Sequence, residues 1–280
     1  MRKTWADNAT SWVAFEAMFD SVLSPVTAAI LETAAMQEGE RILDVGCGAG
    51  TLLEAASEVG ADPVGVDISE AMGEGARRRA PKSTVLVADA QDADLLALAP
   101  GRPFDRVISR FGVMFFADPT AAFANIRGAC ASGAALTFVC WRGADENPMF
   151  TCGSKLLVDR MDPKPEPTPP GAPGPRAFAD PERIRSVLGG SGWESVEVTP
   201  FDFVCDFGFD GSDGVKERLG MILGTADGRA AMEQLQPRLG EDGWTALIDE
   251  IREYLESTRI DGSVRFPGAT WLVTARNAGA

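Results

Sequence analysis

The 280-residue sequence has no histidine, a single tyrosine and no pair of cysteines separated by two residues. Histidine is the most common general base and metal ligand, so its absence excludes Ser-His-Asp and Cys-His mechanisms. The five cysteines are scattered and odd in number, which favours reduced thiols over disulfides or a zinc site. These absences predict a cytoplasmic location and no bound metal.

Positive charge is also scarce, since 26 Lys and Arg stand against 41 Asp and Glu, for a net charge of −15. Binding to nucleic acid or to an anionic membrane depends on clustered Lys and Arg, so we expect neither as a partner. The longest apolar run, 134–141, is far shorter than the ~18 residues of a membrane span, and the N-terminus lacks the apolar run of a secretory signal.

Short apolar segments alternate with helical patterns from residue 41 to residue 141. Strands that alternate with helices pair in parallel through right-handed crossovers, so we predict the α/β class with a doubly wound sheet. The predicted strands are 41–45, 63–67, 84–88, 104–109, 134–141, 196–204 and 269–275. The predicted helices between the first five strands are 50–59, 69–79, 92–98 and 118–130.

Segments outside this alternation predict one domain, 1–280, with additions. Residues 1–37 form an N-terminal helical cap, whose Trp12, Phe15 and Phe19 either close over a ligand or pack on the sheet. Residues 143–178 form a proline-rich insertion, and its composition favours a tolerated loop over a partner-binding motif. Residues 211–263 form a helical insertion with an apolar stripe around Trp244, where a lid is expected.

The most informative segment is Ile42–Leu53, in which an apolar run ends at Asp44 and glycines follow at alternate positions, 46, 48 and 50. Glycine lets a ligand approach the backbone of such a turn, and the helix that follows aims its free N–H groups at that ligand. The segment is therefore typical of a nucleoside-type cofactor site. Dinucleotide binders show G-x-G-x-x-G, and threonine at position 51 breaks that spacing.

Two acidic residues end the next two predicted strands, at the same edge of the sheet. The carboxylate of Asp67 can accept hydrogen bonds from both ribose hydroxyls, or it can cap the following helix, a role open to Ser69 as well. Asp89 can accept from an adenine amino group or serve as a turn residue. Ile68 and Met72 either sandwich the adenine ring or belong to the core.

With these residues in order, the chain resembles the class I S-adenosylmethionine-dependent methyltransferases of the small-molecule type, over about 38–142. Ile42–Gly50 is similar to that family's first motif, Phe104–Phe116 to its fourth, and Trp141-Arg142 fits the end of its fifth strand. The resemblance implies a Rossmann-like, mostly parallel sheet of seven strands, with the last one antiparallel, and S-adenosylmethionine as the cofactor. The cofactor-binding residues that it implies are Asp44, Gly46, Cys47, Gly48, Asp67, Ile68, Met72, Asp89, Ala90 and Arg110.

The resemblance also implies in-line transfer of a methyl group to O or N of a small, largely apolar acceptor. The segment 109–112 differs from the Asn/Asp-Pro-Pro-aromatic motif of enzymes that methylate nucleic-acid bases. A fold relative that transfers no methyl group, a protein methyltransferase, a nicotinamide oxidoreductase and a homodimer all stay open. The predicted acceptor-binding residues are Phe111, Phe115, Trp141 and Arg142. No catalytic residue is assigned, and the candidate bases, each more typical of a solvated surface group, are Asp118, Asp145, Glu146 and Tyr254.

Overall fold

The computed structural model describes residues 16–279, and seven strands in this part of the chain form one sheet. They are β1 (Arg41–Val45), β2 (Asp62–Asp67), β3 (Thr84–Val87), β4 (Phe104–Arg110), β5 (Cys130–Trp141), β6 (Glu194–Asp206) and β7 (Arg265–Arg276). Their order is β3-β2-β1-β4-β5-β7-β6, and β7 runs antiparallel to both of its neighbours. The neighbouring pairs among β1 to β5 are parallel, so the predicted doubly wound sheet with one antiparallel strand is confirmed.

Helices flank the sheet. In chain order they are α1 (Glu16–Val22), α2 (Ser24–Ala34), α3 (Thr51–Glu58), α4 (Glu70–Arg79), α5 (Leu95–Leu98), α6 (Pro119–Gly128), α7 (Ser154–Val158), α8 (Pro181–Gly190), α9 (Val215–Gly224) and α10 (Ala226–Ser257). Helix α2 packs on β4 and β5, α3 and α4 pack on β2, and α8 packs on β6. No helix among residues 16–279 is both long and apolar enough to cross a membrane.

The burial of the central strands explains why their sequence pattern predicted them correctly. Every residue of β1 is buried, as expected for a parallel strand covered on both faces, so its sequence is a nearly continuous apolar run. Strand β6 lies at the edge of the sheet and is mostly exposed, and it carries Pro200 within its length. Its mixed pattern hid its ends, so the structure extends the predicted strand 196–204 to 194–206.

The helical additions differ in detail from the prediction. The described part of the predicted N-terminal cap contains two helices, α1 and α2, because Pro25 stands in the first turn of α2. Residues 1–15 of the cap, with Trp12 and Phe15, lie outside the described residues. The expected helical stretch within 211–263 divides into α9 and α10, and Gly240 interrupts α10 with a left-handed φ of 69°. The predicted boundaries of the cap and of both insertions stay predictions.

Candidate functional site

The glycine turn after β1 is tightly packed at Gly46 and Gly50 and has an open space at Gly48, which we call the open cradle. Gly46, Gly48 and Gly50 all have positive φ, which side chains rarely adopt. A Cβ at Gly46 would lie 2.6 Å from the Cα of Gly112, and one at Gly50 would lie 2.9 Å from the Cα of Ala76. A Cβ at Gly48 would meet nothing within 4 Å. Gly46 and Gly50 are therefore required by packing, whereas Gly48 leaves backbone accessible to a ligand.

Cys47 contributes to this turn through its backbone. Its N–H donates to the carbonyl oxygen of Val66 over 3.1 Å, and its side chain is buried in a small apolar cluster with Leu53 and Ala76. Burial raises the pKa of the Cys47 thiol well above its usual value, so the thiol stays protonated.

The carboxylate of Asp67 fixes the glycine turn to the end of β2. Its Oδ2 accepts a hydrogen bond from the N–H of Gly48, and its Oδ1 accepts one from the N–H of Ser69, each over 2.9 Å. Ser69, whose Oγ accepts from the N–H of Met72, is the N-cap of α4, so the alternative role of Asp67 as helix cap is filled by another residue. Each oxygen of Asp67 keeps a second lone pair, with which it can accept from a ribose hydroxyl.

Asp44 is a buried acid with an unsatisfied oxygen. Its side chain is 1% exposed, and its Oδ1 has no hydrogen-bond partner. Burial raises the pKa of Asp44 to about 8, opposed by the positive charge of Arg110 and reinforced by the negative charge of Asp67. A buried polar atom without a partner is costly, so this oxygen indicates a site built for a donor from outside the chain.

The turn after β3 holds the residues predicted to contact adenine. Asp89 acts as a turn residue through Oδ1, which accepts from the N–H of Gln91 over 3.0 Å. The amide Nδ2 of Asn125 donates to the carbonyl oxygen of Ala90 and so ties this turn to α6. Met72 is buried. Ile68 is half-buried beside Asp67 at the end of β2.

Arg110 ends β4 on the same face of the sheet as Asp44. Asp44 pairs in register with Ile108, and Arg110 follows Ile108 by two residues, the spacing that returns a strand to the same face. The guanidinium donates to the Oγ1 of Thr27 over 2.7 Å and to Oδ1 of Asp20 over 3.0 Å. It therefore brings a fixed positive charge to the edge of the sheet that carries the glycine turn.

Sequence reasoning missed Asp20, which joins this edge from helix α1. The available signal was an acidic residue within the largely apolar sequence of α1. Its partners, Thr51, Arg79 and Arg110, lie 31, 59 and 90 residues away along the chain, and spacing does not predict such contacts.

Phe111 and Trp141 form one wall beside this edge. Their rings stack with centroids 4.5 Å apart and planes 10° apart, and both side chains are buried. Phe150 packs edge-on against Trp141 at 5.5 Å, and Phe203 lies 6.0 Å from it. Phe111 has a φ of 64°, which is strained for an aromatic residue, and such strain concentrates at functional sites.

Phe115 and Arg142, both predicted to bind the acceptor, have different surroundings. Phe115 ends the 3-10 turn Val113–Phe115 and packs half-buried against the core. Arg142 forms ion pairs with Glu146 and Asp202, and its guanidinium lies 5.1 Å above the ring of Trp271. Its charge is thus already paired, and acceptor binding by these two residues stays a prediction.

The candidate bases have other roles or lie in water. Asp118 caps α6 by accepting from the N–H of Ala121, Glu146 pairs with Arg142, and Asp145 is exposed. The hydroxyl of Tyr254 lies 3.8 Å from the Sγ of Cys152, and this contact, followed by burial, raises its pKa. None of the four is placed by its contacts as a general base. Among the described residues, no three acids or cysteines gather as a metal site.

The helical insertion is tied to the aromatic wall by Arg218 of α9. Arg218 is 2% exposed and donates to the carbonyl oxygens of Met149 and Cys152, over 2.5 and 2.7 Å. These carbonyls flank Phe150, the residue that packs against Trp141. The position of the wall therefore depends on the position of the insertion.

Comparison with known proteins identifies the domain. Residues 42–133 match the family model of a methyltransferase domain. Over these 92 of its 280 residues, the chain is similar to a methyltransferase domain. The cofactor that this match indicates is S-adenosylmethionine. The residues that bind it stay a prediction.

Relatives of known name cover only part of this chain. The aklanonic acid methyltransferase DauC of Streptomyces sp. (strain C5) is 32% identical over 124 residues, 41% of this chain and 51% of that protein. A ubiquinone biosynthesis O-methyltransferase of Dinoroseobacter shibae is 29% identical over 161 residues, 57% of this chain and 62% of that protein. The chain spans about half the length of the curated relatives it matches.

A solved structure shows the same fold across nearly the whole chain. The YcgJ protein of Bacillus subtilis matches 90% of this chain and 98% of its own, with a TM-score of 0.57. At 15% identity, this similarity concerns the fold alone.

Proposed function

We propose that this protein transfers a methyl group from S-adenosylmethionine to O or N of a small, largely apolar acceptor. The observation that carries the proposal is the buried, unsatisfied oxygen of Asp44 beside the open cradle at Gly48. The cofactor has an ammonium group that can donate to such an oxygen, and its nucleoside needs backbone that it can approach closely. The residues present therefore fit this cofactor.

Each part of the cofactor has a matching group at the carboxyl edge of the sheet. Asp67 offers lone pairs to the ribose hydroxyls, and Asp89 has a second carboxylate oxygen to offer an adenine amino group. Arg110 carries a positive charge on the same sheet face as Asp44, and Asp44 becomes negative when it loses its proton. The pair then suits the carboxylate and ammonium of an amino acid. We propose that Ile68, just before α4, and Met72, in its first turn, contact the adenine ring.

When bound, the cofactor supplies a methyl group on a sulfonium, already activated for in-line displacement. The chain's part is then to align the acceptor and exclude water, and alignment alone supplies several kcal/mol in favourable cases. The stacked rings of Phe111 and Trp141, with Phe150, offer a rigid apolar wall for such an acceptor. Since none of the candidate bases is placed by its contacts for proton removal, we propose an acceptor that arrives as a neutral amine or an already ionised hydroxyl.

Calorimetry with S-adenosylhomocysteine tests the shared basis of this proposal. We expect measurable heat and a rise in thermal midpoint at millimolar ligand, because a ligand that binds only the folded state stabilises that state. If neither the heat nor the rise in thermal midpoint is observed, the proposed cofactor is wrong. Binding without turnover on a panel of phenols and amines would favour the fold relative without transfer, and turnover on basic peptides would favour a protein methyltransferase.

The pH dependence of binding tests the role of Asp44. With a pKa of about 8 in the free protein, Asp44 is mostly neutral at pH 6 and must lose its proton to pair with an ammonium group. The affinity for S-adenosylhomocysteine should therefore rise from pH 6 to pH 8, by up to about tenfold per pH unit, and level off above that. Titration calorimetry at several pH values measures it.

The matched ligand for this experiment is 5′-deoxy-5′-methylthioadenosine, which has the nucleoside and thioether but no amino acid. Its affinity should be flat over the same pH range. Asp44→Asn should remove the pH dependence for S-adenosylhomocysteine. If the affinities of both ligands for the wild-type protein change equally with pH, Asp44 does not pair with the amino-acid end.

The remaining expectations about partners and location stay predictions. We propose a small molecule as the acceptor, without nucleic acid or membrane, and a reducing compartment such as the cytoplasm. The free thiols of all five cysteines support that compartment.

A further inference from the structure

Helix α1 reaches the carboxyl edge of the sheet through a single carboxylate. The Oδ1 of Asp20 accepts from the hydroxyl of Thr51 over 2.8 Å and from Arg110 over 3.0 Å. Its Oδ2 forms an ion pair with Arg79 at the end of α4. Asp20 thus joins the first residue of the helix after the glycine turn, the end of β4 and the end of α4.

These contacts decide where the charge of Arg110 is held. The guanidinium is 16% exposed and bonds to Thr27, Thr51 and Asp20, of which Asp20 supplies the negative charge. Arginine loses much rotational freedom when its head group is fixed, so a charged partner is needed to hold one orientation. Without Asp20, Arg110 would lose this carboxylate, whereas Arg79 would keep its ion pair with Glu54.

We propose that Asp20 is a positioning residue, which holds Arg110 beside Asp44 so that the two charges together receive the amino-acid end of the cofactor. This inference rests on the proposed function and deepens it, because it assigns α1 a part in cofactor binding. Asp20 acts through Arg110, and it need not touch the cofactor itself.

A purely structural role has a different signature. The ion pairs of Asp20 are mostly buried, so their loss would also lower the stability of the protein, and a loosened helix α1 would weaken the binding of every ligand of the site alike. A positioning role concerns only the amino-acid end. S-adenosylhomocysteine has that end, and 5′-deoxy-5′-methylthioadenosine lacks it, so the two ligands separate the roles.

The experiment is titration calorimetry of both ligands on the full chain, with thermal melting of each variant. For Asp20→Ala we expect the Kd of S-adenosylhomocysteine to rise tenfold or more, and that of methylthioadenosine to stay within twofold. Asp20→Asn keeps an acceptor for Arg110 and Thr51 and should recover part of the loss. The matched control is Asp249→Ala, which removes an exposed ion pair with Arg252 on α10 and should change neither Kd.

Equal weakening of both ligands, or no change in either, would overturn the positioning role while leaving the cofactor assignment intact. A wild-type protein that binds neither ligand would overturn the proposed function as well, a result visible before any variant is made.

Discussion

Replacement of Gly112 by alanine should destabilise the protein and abolish cofactor binding together. A Cβ at this position would lie 2.2 Å from the carbonyl oxygen of Val45 and 2.8 Å from the Cα of Gly46. Both are backbone atoms, so the turns after β1 and β4 would have to separate. Overpacking of this kind costs about 1–3 kcal/mol, and each kcal/mol lowers the thermal midpoint by roughly 2–4 °C in a chain of this size.

The same separation would disturb the site itself. The Oγ of Ser109 donates to the carbonyl oxygen of Val45 and accepts from the N–H of Gly112, so the two turns are bonded as well as packed. Asp44 directly precedes Val45, and its unsatisfied oxygen would move with that turn. We therefore expect no measurable heat with S-adenosylhomocysteine at ligand concentrations that saturate the wild-type protein.

Gly128→Ala is the control for this substitution. Gly128 ends α6, and a Cβ there would meet nothing within 4 Å. Alanine also has the higher helix propensity, by up to about 1 kcal/mol, so this variant should be as stable as the wild type or slightly more so. A Gly112→Ala protein that melts and binds like Gly128→Ala would contradict the close contact between the two turns.

Asp67→Ala should weaken the binding of S-adenosylhomocysteine by about 1–3 kcal/mol, which raises its Kd roughly 5- to 150-fold. Two losses combine in this variant. The ribose loses its charged acceptor, and the N–H groups of Gly48 and Ser69 lose the carboxylate that holds the glycine turn to β2. Calorimetry and thermal melting measure the two effects separately.

S-adenosylhomocysteine and methylthioadenosine both contain the ribose. Asp67→Ala should therefore raise the Kd of both ligands by the same factor. This pattern differs from that expected of Asp20 and Asp44, whose substitutions should affect only the ligand with an amino-acid end. The matched control is Asp62→Ala, at the opposite end of β2, where the carboxylate is 65% exposed and pairs with Arg41. Unchanged affinity in Asp67→Ala would refute the ribose assignment.

We propose that the acceptor is selected by parts of the chain outside the sequence motifs. The rings beside Trp141 come from the turn after β4, the 3-10 turn Pro148–Phe150 and the edge strand β6. Arg218 connects this wall to the helical insertion. A change in the insertion would therefore alter the acceptor pocket while leaving the adenosyl site intact.

The sequence by itself determined the features that follow from local rules. The alternation of apolar strands with helices determined a parallel sheet, because a strand buried on both faces must be apolar throughout. The glycine spacing after Asp44 marked a turn that a ligand can approach, and the acids at strand ends marked the same edge of the sheet. These are properties of a few consecutive residues, so they can be read without knowing the fold.

Only the tertiary structure decided how the charged and aromatic residues are paired. Arg110 ends β4 and Arg142 directly follows β5, yet the first is held by Asp20 of α1 and the second by Glu146 and Asp202. The contact between Gly46 and Gly112 joins residues 66 positions apart in the sequence. Hydrogen bonds, ion pairs and steric contacts act over a few ångströms in space and leave no periodic signal in the sequence. The partners of these residues are therefore determined by the tertiary structure.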